Sequence, residues 1–117
     1  MVKDWPAFAG DMSGAVAQLR AGLPDVMKAF GAMDQALMKD GALSPKTKEL
    51  IALSLGVAAR CDGCLAFHAR AARKYGASRE EVLEAIGMSI YMGGGPSVMY
   101  AALALEAFDQ YDAKASA

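Results

Sequence analysis

Apolar side chains recur at steps of three and four along nearly the whole chain, and the alternation that marks a half-buried strand is scarce. That period restricts the polypeptide to an all-α fold, and the interruptions mark out about six helices. Residues 1–10, with Trp5-Pro6 and Gly10, read as an irregular arm, followed by a short helix over Met12 to Arg20 that Gly22 closes. Pro24 opens a second helix whose Val26, Phe30, Met33 and Leu37 form one stripe. Ser44-Pro45 joins a capping hydroxyl to a first-turn proline. The run Leu50 to Ala59 behind it is apolar nearly all round, which predicts a helix buried on most sides. A break near Arg60 leads into a helix from about Asp62 to Tyr75, ended by Gly76. Ser78 and Glu81 have capping-box spacing, with Val82, Ile86 and Ser89/Ile90 facing inward behind them. Gly93-Gly94-Gly95 stops that helix, and Pro96 starts a last one with Val98, Ala101, Leu105 and Phe108 on one face. The expected organisation is residues 1–22 as arm and short helix, 23–112 as a helical core in a single copy, and 113–117 as a fraying tail.

With 117 residues there is room for one domain, yet 55% of them are hydrophobic. A domain this small cannot hide so much apolar surface alone, and an exposed apolar face marks a partner site, so a homo-oligomer is expected. Twelve basic and thirteen acidic residues are dispersed, which argues against a nucleic-acid partner or an anionic membrane. No run is long and apolar enough to span a bilayer, and no signal peptide is visible. A cytoplasmic, reducing location follows, where two cysteines three apart point to catalysis or metal binding before a permanent staple.

Those cysteines, in Cys61-Asp62-Gly63-Cys64, are the sharpest chemical feature, and His68, the only histidine, follows four residues later. On an ideal helix residues three apart have Cα atoms about 5 Å from each other, within disulfide range. His68 lies one turn beyond Cys64 on the same face, its side chain leaning back toward the helix start. Unpaired N–H groups at that start favour a thiolate, and His68 could take the Cys64 proton. The helix terminus favours Cys61 as the attacking sulfur, whereas the histidine favours Cys64; Cys64 is the preferred nucleophile, with Cys61 resolving. Competing readings are two small core residues, or a zinc site short of its fourth ligand. Covalent haem attachment is excluded by Leu65 after the second cysteine, and a thioredoxin fold by the lack of strands. No cofactor or metal is expected.

Glu49 is the next candidate. It shares a helix face with Ala52, Leu53 and Gly56, where a carboxylate needs a partner such as a histidine. The alternative is a solvated glutamate near a helix start, flanked by Lys46 and Lys48. The triple glycine reads as a stop and tight turn before it reads as a close approach near a site, and the eight methionines as core filling.

Taken together, Glu49, an eleven-residue gap and Cys61-x-x-Cys64-x-x-x-His68 resemble the alkyl hydroperoxidase D-like group of the carboxymuconolactone decarboxylase superfamily. Gly76-Ala77-Ser78 with Glu80-Glu81-Val82, and Tyr91 to Pro96, extend the resemblance over roughly residues 25–110. It implies an all-α fold assembled into homo-trimers or homo-hexamers. It also implies that Cys64 reacts with peroxide, Cys61 closes the disulfide, His68 acts as base and Glu49 assists it. The prototype carries a second histidine just before its second cysteine, where this chain has Gly63. A simpler proton relay follows, with slower peroxide chemistry or a different oxidant. Superfamily decarboxylases lack the cysteine pair, so the resemblance points away from lactone decarboxylation.

The expected activity is therefore thiol-dependent reduction of a hydroperoxide, with an external dithiol or redox protein as reductant. Alternatives are a protein disulfide reductase or electron carrier, and a non-catalytic helical oligomer or zinc-binding module.

Overall fold

The computed structural model describes residues 1–116, which contain six helices and no strand. They are α1 (Trp5–Gly22), α2 (Pro24–Leu37), α3 (Pro45–Ala59), α4 (Asp62–Lys74), α5 (Arg79–Gly93) and α6 (Gly95–Ser116). Their ends follow local chemistry. Ser44 Oγ accepts the Thr47 amide at 3.2 Å, with Pro45 in the first turn of α3. At α5 the Ser78 hydroxyl accepts the Glu81 amide at 3.1 Å, while the Glu81 carboxylate accepts the Ser78 amide at 2.9 Å. Gly76 (φ 89°) and Gly94 (φ 70°) occupy the left-handed region where a glycine escapes Cβ strain, turning the chain out of α4 and α5.

The helices α3, α4, α6 and α5 form a closed ring of packed neighbours, α3 on α4, α4 on α6, α6 on α5 and α5 on α3. Its interior holds Leu53 and Val57 of α3, Leu65 and Ala69 of α4, Val82 and Ile86 of α5, and Ala104 and Phe108 of α6. Alanines on α4 and α6 keep both helices thin where they meet, so the backbones approach closely. Laid across α4 and α6, α1 sends Trp5 and Ala9 into the same core. Helix α2 packs on α1, has no buried residue, and is tied to α3 where Leu37 O accepts Lys48 Nζ.

Three expectations are corrected. The first helix starts at Trp5, not Met12: Pro6 lies in its first turn, where its missing N–H costs nothing, and the Asp4 carboxylate caps it by accepting the Ala7 amide at 3.1 Å. α3 is buried on one face only, with Ile51 and Leu55 exposed on the other. On α6 the inward line is Ser97, Ala101, Ala104 and Phe108, which leaves Val98 exposed and Leu105 half-buried. Residues 113–116 continue α6 as helix, while Ala117 lies outside the described residues. The stripe of Val26, Phe30, Met33 and Leu37 is present on α2 but uncovered.

Candidate functional site

The site is built at the hairpin between α3 and α4. Arg60 ends α3 in the left-handed conformation (φ 56°, ψ 50°), a position that costs a non-glycine residue about 1–2 kcal/mol. The return is held by the Arg60 amide donating to Val57 O at 3.1 Å and the Cys61 amide donating to Gly56 O at 3.0 Å. Cys61 is thereby set as the N-cap of α4, and its sulfur accepts the Cys64 amide at 3.1 Å. The two sulfurs are joined, with Cα atoms 5.2 Å apart, the separation an ideal helical turn imposes. Both cysteines are half-buried. Gly56 makes the close approach possible: a Cβ there would stand 3.0 Å from Cys64 Cβ.

One turn beyond Cys64, His68 donates from Nδ1 to Glu49 Oε2 at 2.7 Å. The Glu49 side chain is 6% exposed and that of His68 34%. A carboxylate can only accept, so this bond sets the proton on Nδ1 and leaves Nε2 as the basic nitrogen of the neutral ring. The flanking lysines turn elsewhere: Lys46 pairs with Glu81 at 2.9 Å, and Lys48 donates to Leu37 O and Lys39 O. Glu49 is thus a buried partner of the imidazole, not a solvated helix-end glutamate. The structure brings together the cysteine pair on one helix turn and His68 with Glu49 across two helices.

Neighbours that sequence reasoning passed over come from the N-terminal segment. Lys3 Nζ lies 2.8 Å from Asp62 Oδ2, inside the Cys-x-x-Cys turn, and sits over the rings of Phe8 and Trp5. Met12 of α1 reaches the Gly63 side of the same turn. The segment is fastened to α6, where Glu106 accepts the Trp5 indole N–H at 2.9 Å together with the Val2 and Lys3 amides. Those donors, the indole first, hold the Glu106 carboxyl below its ordinary range. A one-residue signal existed for Gly56, a glycine inside an otherwise apolar helix; none existed for Lys3. The triple glycine is a stop and turn, and Gly93 also permits contact with Ser97, whose Oγ would be 2.0 Å from a Cβ at that position. Among the described residues no three His, Cys, Asp or Glu side chains converge as a metal site, and no helix is long and apolar enough to cross a membrane.

The model of the carboxymuconolactone decarboxylase family matches residues 24–107. An uncharacterized protein of Cupriavidus necator is 42% identical over 100 residues, covering 86% of each chain. Another, from the cox locus of Paracoccus denitrificans, is 36% identical over 84 residues, covering 72% of this chain and 76% of its own. Among solved structures, an apo carboxymuconolactone decarboxylase family protein from Legionella pneumophila superposes with a TM-score of 0.87 at 50% identity, covering 92% of this chain and 96% of its own. A Thermotoga maritima member, for which involvement in an antioxidative response has been suggested, gives 0.78 at 27% identity, covering 91% and 93%. With the six-helix fold, the Cys61–Cys64 pair and matches of this extent, the chain belongs to the carboxymuconolactone decarboxylase family, within the superfamily that holds the alkyl hydroperoxidase D-like proteins.

Proposed function

We propose that the chain is a thiol-dependent hydroperoxide reductase, an antioxidant enzyme of a reducing cytoplasm. The observation that carries this reading is a bonded cysteine pair on the first turn of α4 with a glutamate-bound imidazole one turn further on. In the reduced protein, His68 Nε2 takes the Cys64 proton. The thiolate attacks the peroxide oxygen, the O–O bond breaks, and an alcohol or water leaves with Cys64 as sulfenic acid. Cys61 then displaces hydroxide, which departs as water, and the Cys61–Cys64 disulfide forms. A dithiol or redox protein returns two electrons and two protons. Glu49 keeps the imidazole in the productive tautomer and stabilises its charge when protonated.

Mass spectrometry of reduced protein after one equivalent of hydroperoxide tests this: a Cys61–Cys64 bridge is expected, with no consumption by Cys64→Ser and a stalled sulfenic acid in Cys61→Ser. Full turnover by Cys64→Ser would overturn it.

One observation favours a second reading, a disulfide reductase or electron carrier. Both cysteines remain partly accessible, and Gly63 adds no side chain between them. Turnover of protein disulfides exceeding that of hydroperoxides would select this activity. The apolar surface left on α2, α3 and α5 supports assembly as a homo-trimer or homo-hexamer.

A further inference from the structure

Asp62 stands between the two cysteines at the first position of α4, next to the N-cap Cys61. A carboxylate suits a helix N-terminus, but here it shares that terminus with a sulfur that must become an anion for thiol chemistry. Two like charges within one turn oppose each other, and the carboxylate by itself would push the thiol pKa up. The counter-charge comes from far away in the chain. Lys3, 59 residues before Asp62, puts Nζ 2.8 Å from Oδ2.

This ammonium is not the loose end of a surface side chain. The Lys3 backbone is held on both sides by α6, its amide donating to Glu106 Oε2 at 3.2 Å and its carbonyl accepting from Gln110 Nε2 at 2.8 Å. Its Nζ lies 4.2 Å from the Phe8 ring centroid and 5.0 Å from that of Trp5, two rings packed edge to face. Trp5 is in turn locked by Gln110 and Glu106. The entropy of ordering a lysine is largely met by contacts independent of Asp62, so the charge stands preorganised at the cysteine turn.

We propose that Lys3 is a positioning residue for the thiol chemistry, neutralising Asp62 and so setting how readily the reduced Cys61–Cys64 pair forms a thiolate. The inference rests on the thiol-redox reading of the site but concerns the ionisation of the sulfurs, not the identity of the oxidant. The other charges contributed to this end of α4 are Arg60 at the hairpin and the Glu49–His68 pair. Asp4 is engaged as the α1 cap, and Glu106 by Trp5 and the two amides.

The test is the pH dependence of iodoacetamide alkylation of the reduced full-length protein. The midpoint should rise by about half a unit to one unit in Lys3→Met, and fall by a similar amount in Asp62→Asn, where the lysine charge is left unopposed. Lys3→Met/Asp62→Asn should return close to wild type, and Lys3→Arg should keep the wild-type midpoint. Trp5 fluorescence shows whether the N-terminal segment stays docked in each variant. Asp62→Asn removes none of the segment's own hydrogen bonds to α6 and so reads the charge effect with that fastening retained. An unchanged midpoint in Asp62→Asn, or a rise, overturns the proposal, as does a double variant that keeps the whole shift of Lys3→Met. A protein that shows these shifts yet reduces no hydroperoxide retains the Lys3 assignment and loses the peroxidase one.

Discussion

A carboxylate withdrawn almost wholly from water needs a proton donor, and Glu49 has one in His68. Substitutions at the two ends of this bond should therefore differ in stability. His68→Ala leaves a buried carboxylate without its partner and should cost about 1–3 kcal/mol, read from the urea midpoint. Glu49→Gln keeps a side chain that can still accept from Nδ1 and should cost less. In peroxide turnover both should fall, His68→Ala by about a hundredfold, the ordinary worth of a positioned base. Equal stability of the two variants would show that the carboxylate does not depend on the imidazole. In the sequence, the cysteine–histidine stripe was readable because its members share a helix at steps of three and four. Glu49 was ambiguous on position alone, since burial and the direction of its side chain depend on how α3 and α4 pack.

At the scale of the element, helix propensity and close packing pull in opposite directions at different glycines. Gly14, inside α1 with open space around it, should accept alanine with a gain of up to about 1 kcal/mol. Gly56→Ala gains the same propensity but drives a methyl against Cys64, and overpacking of about 1–3 kcal/mol cancels or exceeds the gain. Thermal melts of the two variants should move apart, Gly14→Ala upward and Gly56→Ala level or downward. The N-terminal fastening carries a pH signature. The Glu106 carboxyl lies below its ordinary value of 4.5 in the folded state, because the Trp5 indole and the Val2 and Lys3 amides donate to its charged form. A lowered folded pKa gives stability that is fully present above the ordinary value and is lost as pH falls through the folded one. Emission from Trp5, the one tryptophan, should thus hold steady down to about pH 4.5 and change below it. Glu106→Gln should remove most of that acid step. The start of α1 is hidden in the sequence for a reason of the same kind: Trp5-Pro6 resembles a break until the proline is placed in a capped first turn and the indole in the core.

For the molecule as a whole, the outstanding physical fact is uncovered apolar surface. Phe30 of α2 is 63% exposed, Leu55 of α3 64% and Tyr91 of α5 80%. A freestanding chain of this size gains nothing by leaving such groups in water, so sedimentation at micromolar concentration should give a mass above that of one chain. Phe30→Asp or Leu55→Asp should lower that mass, and a wild-type protein that sediments as a monomer would sink the idea. Helix number, the Ser44 and Ser78 caps, the Gly76 turn and the placing of Cys61, Cys64 and His68 along the opening turns of one helix were settled by the sequence alone, because each depends on residues within a turn or two of one another and on backbone geometry common to all helices. The docking of Trp5, the pairing of Glu49 with His68, the meeting of Lys3 with Asp62 and the division of α3 into a buried and a bare face were decided by tertiary structure. Those contacts join residues far apart in the chain, and only the packing of one helix on another determines which side chains can reach.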